Sequence, residues 1–172
     1  MQGQDSALKA LQEAIKIEIE GLEFYNKAAE WTMDPNGKEV FRSLAQDEEL
    51  HLHIVRQQYQ SLSESGEWAT SDGLGEVEVD LDQPLLFPAG WEGLKEAIQP
   101  DASDREALLF ALEIEHRNYM LYKEAALETV DPRGKEMYQR LAGAEQNHFN
   151  LVMLNYEHLT TVGHWRGLGV EV

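Results

Sequence analysis

The sequence predicts an all-α protein, an antiparallel four-helix bundle made of two repeated αα-hairpins joined by a long crossover. Three observations predict it. Four stretches carry their apolar residues at alternating spacings of three and four, the rhythm of one helix face directed at a core. Each pair of stretches is separated by a short Asp-Pro-x-Gly break, at Asp34–Gly37 and again at Asp131–Gly134. The second pair also repeats the first without a gap.

The bulk numbers suit that fold. The 172 residues are enough for one domain with a full core, and a hydrophobic share of 42% argues against disorder. A net charge of −18 makes nucleic acid and anionic membranes poor partners. It suits a solvated acidic surface, and also the attraction of cations. The absence of cysteine excludes disulfides, thiol nucleophiles, thiolate zinc sites and iron–sulfur clusters. No apolar run approaches the length of about 20 residues that a membrane-spanning helix needs. The segment Met1–Asp5 has neither the basic nor the apolar part of a signal peptide, so a cytoplasmic location is expected.

The domain, 1–172, divides into a first hairpin (5–62), a crossover (63–103), a second hairpin (104–160) and a tail (161–172). The first helix should start near Asp5 or Ser6, either of which can cap backbone N–H groups. Its seam reads Leu8, Leu11, Ile15, Glu18, Leu22, Tyr25, Ala29, while Glu13, Glu20, Glu23 and Glu30 fall off it and are expected to face solvent. After Asp34-Pro35-Asn36-Gly37 the chain must fold back, and a second helix from about Lys38 carries Phe41, Leu44, Glu48, His51, Val55 and Gln58 on one face. The crossover is punctuated by Gly and Pro. Within it Val77–Leu81 alternates like a short strand, and Trp91–Ile98 could form a short helix. A connection this long has a topological use: a helix of about 26 residues is about 39 Å long, and a crossover can span that length. The third helix, capped by Ser103 or Asp104, has the seam Leu108, Ala111 or Leu112, Glu115, Asn118 or Tyr119, Tyr122, Ala126. The fourth, from about Lys135 to Thr160, has Tyr138, Leu141, Glu145, His148, Val152, Asn155 and Leu159. The glycine-rich tail is too short for a fifth helix.

Ile17–Tyr59 overlies Ile114–Tyr156 at a shift of 97 positions (115 − 18 = 97). Glu18, Tyr25, Glu48 and His51 fall on Glu115, Tyr122, Glu145 and His148, whereas Glu13, Glu20, Glu23 and Glu30 fall on Phe110, Arg117, Met120 and Leu127. The acids that recur are those on the seams. Each hairpin thus offers a single Glu on one helix and Glu-x-x-His on the next. A carboxylate and an imidazole at i, i+3 project side by side, as two ligands of one metal ion must. Two hairpins bring four carboxylates and two imidazoles into one core, the ligand set of a carboxylate-bridged dinuclear site. Four carboxylates cannot share a core without cations, because burial and mutual repulsion both oppose their ionisation. Oxygen and nitrogen ligands without sulfur suit two iron ions, with manganese or zinc as possible substitutes.

Glu18-x-x-Gly-x-x-Phe-Tyr25, Ala45-x-x-Glu48-x-x-His51, Glu115-x₆-Tyr122 and Ala142-x-x-Glu145-x-x-His148 resemble the motifs of the ferritin-like superfamily, and within it the rubrerythrin-type diiron proteins. The resemblance covers all four helices but neither the crossover nor the tail. It implies that Glu18, Glu48, His51, Glu115, Glu145 and His148 are iron ligands, with Glu48 and Glu145 bridging. Tyr25 and Tyr122, two turns after Glu18 and Glu115, are expected either to fill the core or to hydrogen-bond a ligating carboxylate or relay an electron. Asp47 is placed to orient His148, and its repeat mate is Ala144. His53, His116, His158 and His164 are expected at the surface. The chain departs from the family where rubrerythrins carry a further Glu one turn after the third-helix ligand: Asn118 stands there, with Gly21 as its mate. The cysteine-rich rubredoxin domain is absent as well.

The leading expectation is a diiron oxidoreductase that reduces H2O2 or O2 with electrons from a separate donor protein, without nucleic-acid or membrane partners, assembled as a homodimer. The alternatives are a ferroxidase that handles iron, and a helical scaffold with no catalytic role.

Overall fold

Asp34 lies three residues past the end of one helix and caps the start of the next. In the computed structural model, which describes residues 2–70 and 103–169, four helices are present: α1 (Gln2–Trp31), α2 (Pro35–Ser65), α3 (Asp104–Glu128) and α4 (Pro132–Val162). Asp34 has extended backbone, and its side chain accepts from the backbone N–H of Asn36 and Gly37, with Pro35 opening α2. Asp131 does the same ahead of α4, accepting from Arg133 N–H. Proline suits this position, because its missing N–H would have no intrahelical partner there anyway. The Asp-Pro-x-Gly motifs are therefore helix starts, and α2 and α4 begin three residues before the Lys38 and Lys135 that periodicity suggests. Ser103 opens α3 through a reciprocal capping box with Glu106. α1 begins at Gln2, ahead of the expected Asp5. The alternation at Val77–Leu81 and the Trp91–Ile98 segment lie outside the described residues.

α1 packs on α2 and α3 on α4 as antiparallel hairpins, and α1 also touches α3. No described helix is long and apolar enough to cross a membrane. The seam residues Phe41, Leu44, Glu48, His51, Val55 and Gln58 of α2 are all buried, as are Tyr138 to Asn155 of the α4 seam. The core forms two apolar plugs. One is built around Phe24, Tyr25, Phe41 and Trp165, the other around Tyr122, Tyr138 and Trp68.

Those tryptophans extend the repeat beyond Tyr59 and Tyr156. α2 and α4 each end on a glycine in the left-handed region, Gly66 (φ 74°) and Gly163 (φ 88°), and two residues later comes Trp68 or Trp165. Each tryptophan crosses to the other hairpin. Trp68 lies edge-on to Tyr138 of α4, and Trp165 edge-on to Phe41 of α2 while its indole N–H donates to Asp104 at 2.7 Å. A Cβ on Gly134 would lie 2.6 Å from Trp68, and one on Gly37 2.6 Å from Trp165, so both helix starts need glycine for close approach. An amide side chain anchors the segment after each helix: Gln58 exchanges two hydrogen bonds with Ala69, and Asn155 two with Gly167. These contacts place Thr70 and Ser103 at opposite ends of the bundle.

The expectation for the off-seam acids needs correcting at two positions. Glu13 and Glu30 are exposed, but Glu20 is buried and Glu23 half-buried. Glu20 pairs with Arg117 of α3 at 2.6 Å. Arg117 is its own repeat mate, so at this contact between α1 and α3 the duplication has diverged into opposite charges that meet.

Candidate metal centre

All six seam residues converge near mid-helix, between the two apolar plugs. Glu18 of α1, Glu48 and His51 of α2, Glu115 of α3, and Glu145 and His148 of α4 are buried, and the four carboxylates are fully so. They fall into two overlapping groups, each with one atom per residue within 4.8 Å of the others: Glu18, Glu48, His51 and Glu145; and Glu48, Glu115, Glu145 and His148. Glu48 and Glu145 are common to both. They are the two carboxylates for which the resemblance implies bridging.

The contacts obey the repeat. His51 Nδ1 lies 3.1 Å from Glu145 Oε1 and 3.6 Å from Glu18. His148 Nδ1 lies 3.3 Å from Glu48, 3.4 Å from Glu115 and 3.5 Å from Glu145. The two imidazoles stack with ring centres 5.4 Å apart. Each tyrosine reaches across to the other hairpin's first-helix carboxylate: Tyr25 donates to Glu115, and Tyr122 to Glu18. Both phenols are held well above their ordinary pKa, by burial first and then by the adjacent carboxylate charges, so they remain donors. Asp47 Oδ2 lies 3.0 Å from Nε2 of His148.

Without cations, protons do the neutralising. Burial and repulsion from Glu18 and Glu145 push the Glu48 carboxyl up, and burial pushes Glu115 to about 8. Burial opposes a charge on His51, yet its hydrogen bond with Glu145 and the nearby Glu18 carboxylate outweigh it and raise the ring to about 9. His148 is raised against burial by the carboxylates that face its Nδ1, chiefly those of Glu115 and Glu145. Glu145 goes the other way: burial would raise it, but His148 and His51 hold it down at about 2. The cluster is thus built for more positive charge than its own side chains carry.

Unpartnered atoms test whether metal ions fit. Buried Glu18 Oε2, both oxygens of Glu48, Glu115 Oε2, Glu145 Oε2 and His148 Nδ1 have no hydrogen-bond partner, although such groups are costly to bury unsatisfied. All are hard oxygen or imidazole nitrogen donors. They converge on two positions and suit a pair of divalent first-row ions. Tyr25, Tyr122 and Asp47 hold the outer atoms of those donors, as the partners of metal ligands do. None of His53, His116, His158 and His164 joins the cluster; His116 and His164 are exposed, the other two half-buried.

Gly21 is also explained here. A Cβ on it would sit 2.9 Å from Glu48 Oε2, so glycine leaves the room that Glu48 occupies. Its mate Asn118 is fully buried, and neither amide atom has a partner.

A duplicated αα-hairpin bundle around a buried cluster of four carboxylates and two histidines is the arrangement from which ferritin-like carboxylate–metal proteins build their sites. Residues 9–84 match the rubrerythrin family model, a stretch that contains Glu18, Glu48 and His51. The 97-residue repeat carries the same three side chains into the second hairpin. No curated protein matches the chain. Among solved structures, a hypothetical protein from Pyrococcus furiosus shares the fold with a TM-score of 0.66 at 21% identity, over 91% of each chain.

Proposed function

We propose that this protein is a non-haem diiron oxidoreductase that reduces H2O2 or O2 with electrons from a separate donor. The observation that carries the reading is the pair of overlapping ligand groups sharing Glu48 and Glu145. Glu18 and His51 would complete one metal position, and Glu115 and His148 the other. A ferrous pair held there supplies two electrons, and reduction of H2O2 to two waters consumes them with two protons.

The side chains around the cluster have defined tasks in this reading. Tyr25 and Tyr122 keep Glu115 and Glu18 oriented through their O–H groups and hold a proton beside each carboxylate. Asp47 holds the His148 ring from outside, leaving Nδ1 turned toward the carboxylates. The two aromatic plugs close the bundle above and below and restrict water. These 172 residues hold no cysteine to ligate an iron–sulfur or rubredoxin-type centre, which supports a separate electron donor. We infer a homodimer and a small-molecule oxidant as partners.

Stopped-flow mixing of the diferrous protein with H2O2 and, separately, with O2 tests the proposal. Rapid oxidation by one of them is expected, with loss of that reaction in Glu48→Ala and Glu145→Ala. If neither oxidises the loaded protein quickly, the oxidoreductase reading is wrong.

A further inference from the structure

The duplication is broken at two places next to ligand residues. Asp47 lies 3.0 Å from His148 Nε2, but its repeat mate is Ala144, so no side chain at that position serves His51. Asn118 stands one turn after Glu115 with a buried, unpartnered amide, where the mate after Glu18 is Gly21 with no side chain at all. Asp47 serves the group of Glu48, Glu115, Glu145 and His148.

We infer that the two metal positions are unequal, that Asp47 is the positioning residue responsible, and that the His148 position fills first. The inference rests on the metal-centre reading above and goes beyond it in assigning an order. A carboxylate that accepts from Nε2–H selects the tautomer whose Nδ1 lone pair faces the other ligands, fixes the ring and strengthens it as a donor. Among the described residues, none gives His51 Nε2 such a carboxylate. Partners of this kind change metal affinity by about 10- to 100-fold. The side chain of Asp47 is 53% exposed, and solvent screening puts its effect near the lower end, about tenfold. The shared Glu48 and Glu145 make the second ion bind more weakly whichever position fills first. Unequal affinities alone would therefore prove nothing. The order of filling is the informative quantity.

Long-range 1H–15N spectra of the imidazoles, recorded while Zn2+ is titrated into the chelator-stripped full chain, read that order directly. His51→Gln and His148→Gln variants assign the signals. The expected result is that the His148 resonances reach their bound positions within the first equivalent and those of His51 within the second. In Asp47→Ala both rings should move together, in Asp47→Asn the order should be largely retained, and in Ala144→Asp the His51 position should gain on the other. Simultaneous filling in the unmodified protein, or His51 filling first, overturns the inference while leaving the metal centre intact. An order unchanged in Asp47→Ala removes Asp47 from the role. If Zn2+ perturbs neither ring, the metal-centre reading itself falls, and this inference with it.

Discussion

The phenol of Tyr25 donates to the carboxylate of Glu115, a residue of the opposite hairpin 90 positions away, and Tyr122 returns the contact to Glu18. Each hairpin therefore holds in place a carboxylate that the other contributes. Tyr25→Phe and Tyr122→Phe each leave a buried carboxylate oxygen unpartnered and a ligand free to rotate. Metal affinity in a competition titration should drop by about 10-fold or more in either variant, and by a larger factor in the double variant. Circular dichroism should show the helices unchanged.

Gly21→Ala separates helix formation from metal binding. Alanine favours a helix interior over glycine by about 1 kcal/mol. Its methyl group, however, would lie 2.9 Å from Glu48 Oε2 and push that carboxylate aside. The metal-free variant should be as stable as the parent or more so in thermal unfolding, while holding fewer than two metal ions per chain.

The tryptophan contacts are a matter of stability alone. Gly134→Ala places a methyl group 2.6 Å from Trp68, whose ring is also held edge-on by Tyr138. Overpacking of this kind costs about 1–3 kcal/mol. Urea denaturation should report a loss in that range, and the additional substitution Trp68→Leu should recover part of it.

Removal of metal should expose a pH dependence of known sign. The folded state raises Glu115 from 4.5 to about 8 and His51 from 6.5 to about 9. Both contributions are complete at low pH and are lost as pH rises through the raised values. Glu145, held at about 2, acts in the opposite direction and loses its contribution below about pH 4. The chelator-treated protein should therefore unfold at a temperature about 5 °C lower at pH 9 than at pH 6. Bound metal replaces those protons and should abolish the decline.

Glu20 and Arg117 offer a test that uses the duplication itself. Arg117→Ala leaves the buried Glu20 carboxylate without its partner and should destabilise by about 1 kcal/mol or more. Because the two residues occupy equivalent positions, the exchange Glu20→Arg with Arg117→Glu reverses the pair across a pseudo-two-fold axis. Chemical denaturation should find most of the loss restored in the exchanged protein.

Much of the fold and of the cluster was legible in the residues. Helical periodicity located all four helices, and the repeat distinguished Glu18, Glu48 and His51 from the acids around them. Glu20 was misplaced because periodicity measures distance from a seam and is blind to a neighbouring helix, and Arg117 buries it from outside the seam. Trp68 and Trp165 do carry a signal in the sequence: the same shift of 97 relates them and the two glycines before them. Local pattern could not reveal it, because both tryptophans follow the end of a helix.

The sequence by itself determined the kind of structure and the inventory of its core. Seam spacing and the internal repeat depend on the chain's own geometry, and they sufficed to nominate four carboxylates and two imidazoles. Tertiary structure decided which atoms meet. It paired Glu48 with Glu145 in both ligand groups, sent each tyrosine to the opposite hairpin, and gave His148 Nε2 a carboxylate that no described residue gives His51. Those relationships join residues some 90 to 104 positions apart. Such contacts depend on how two hairpins dock, and helix periodicity holds no information about docking.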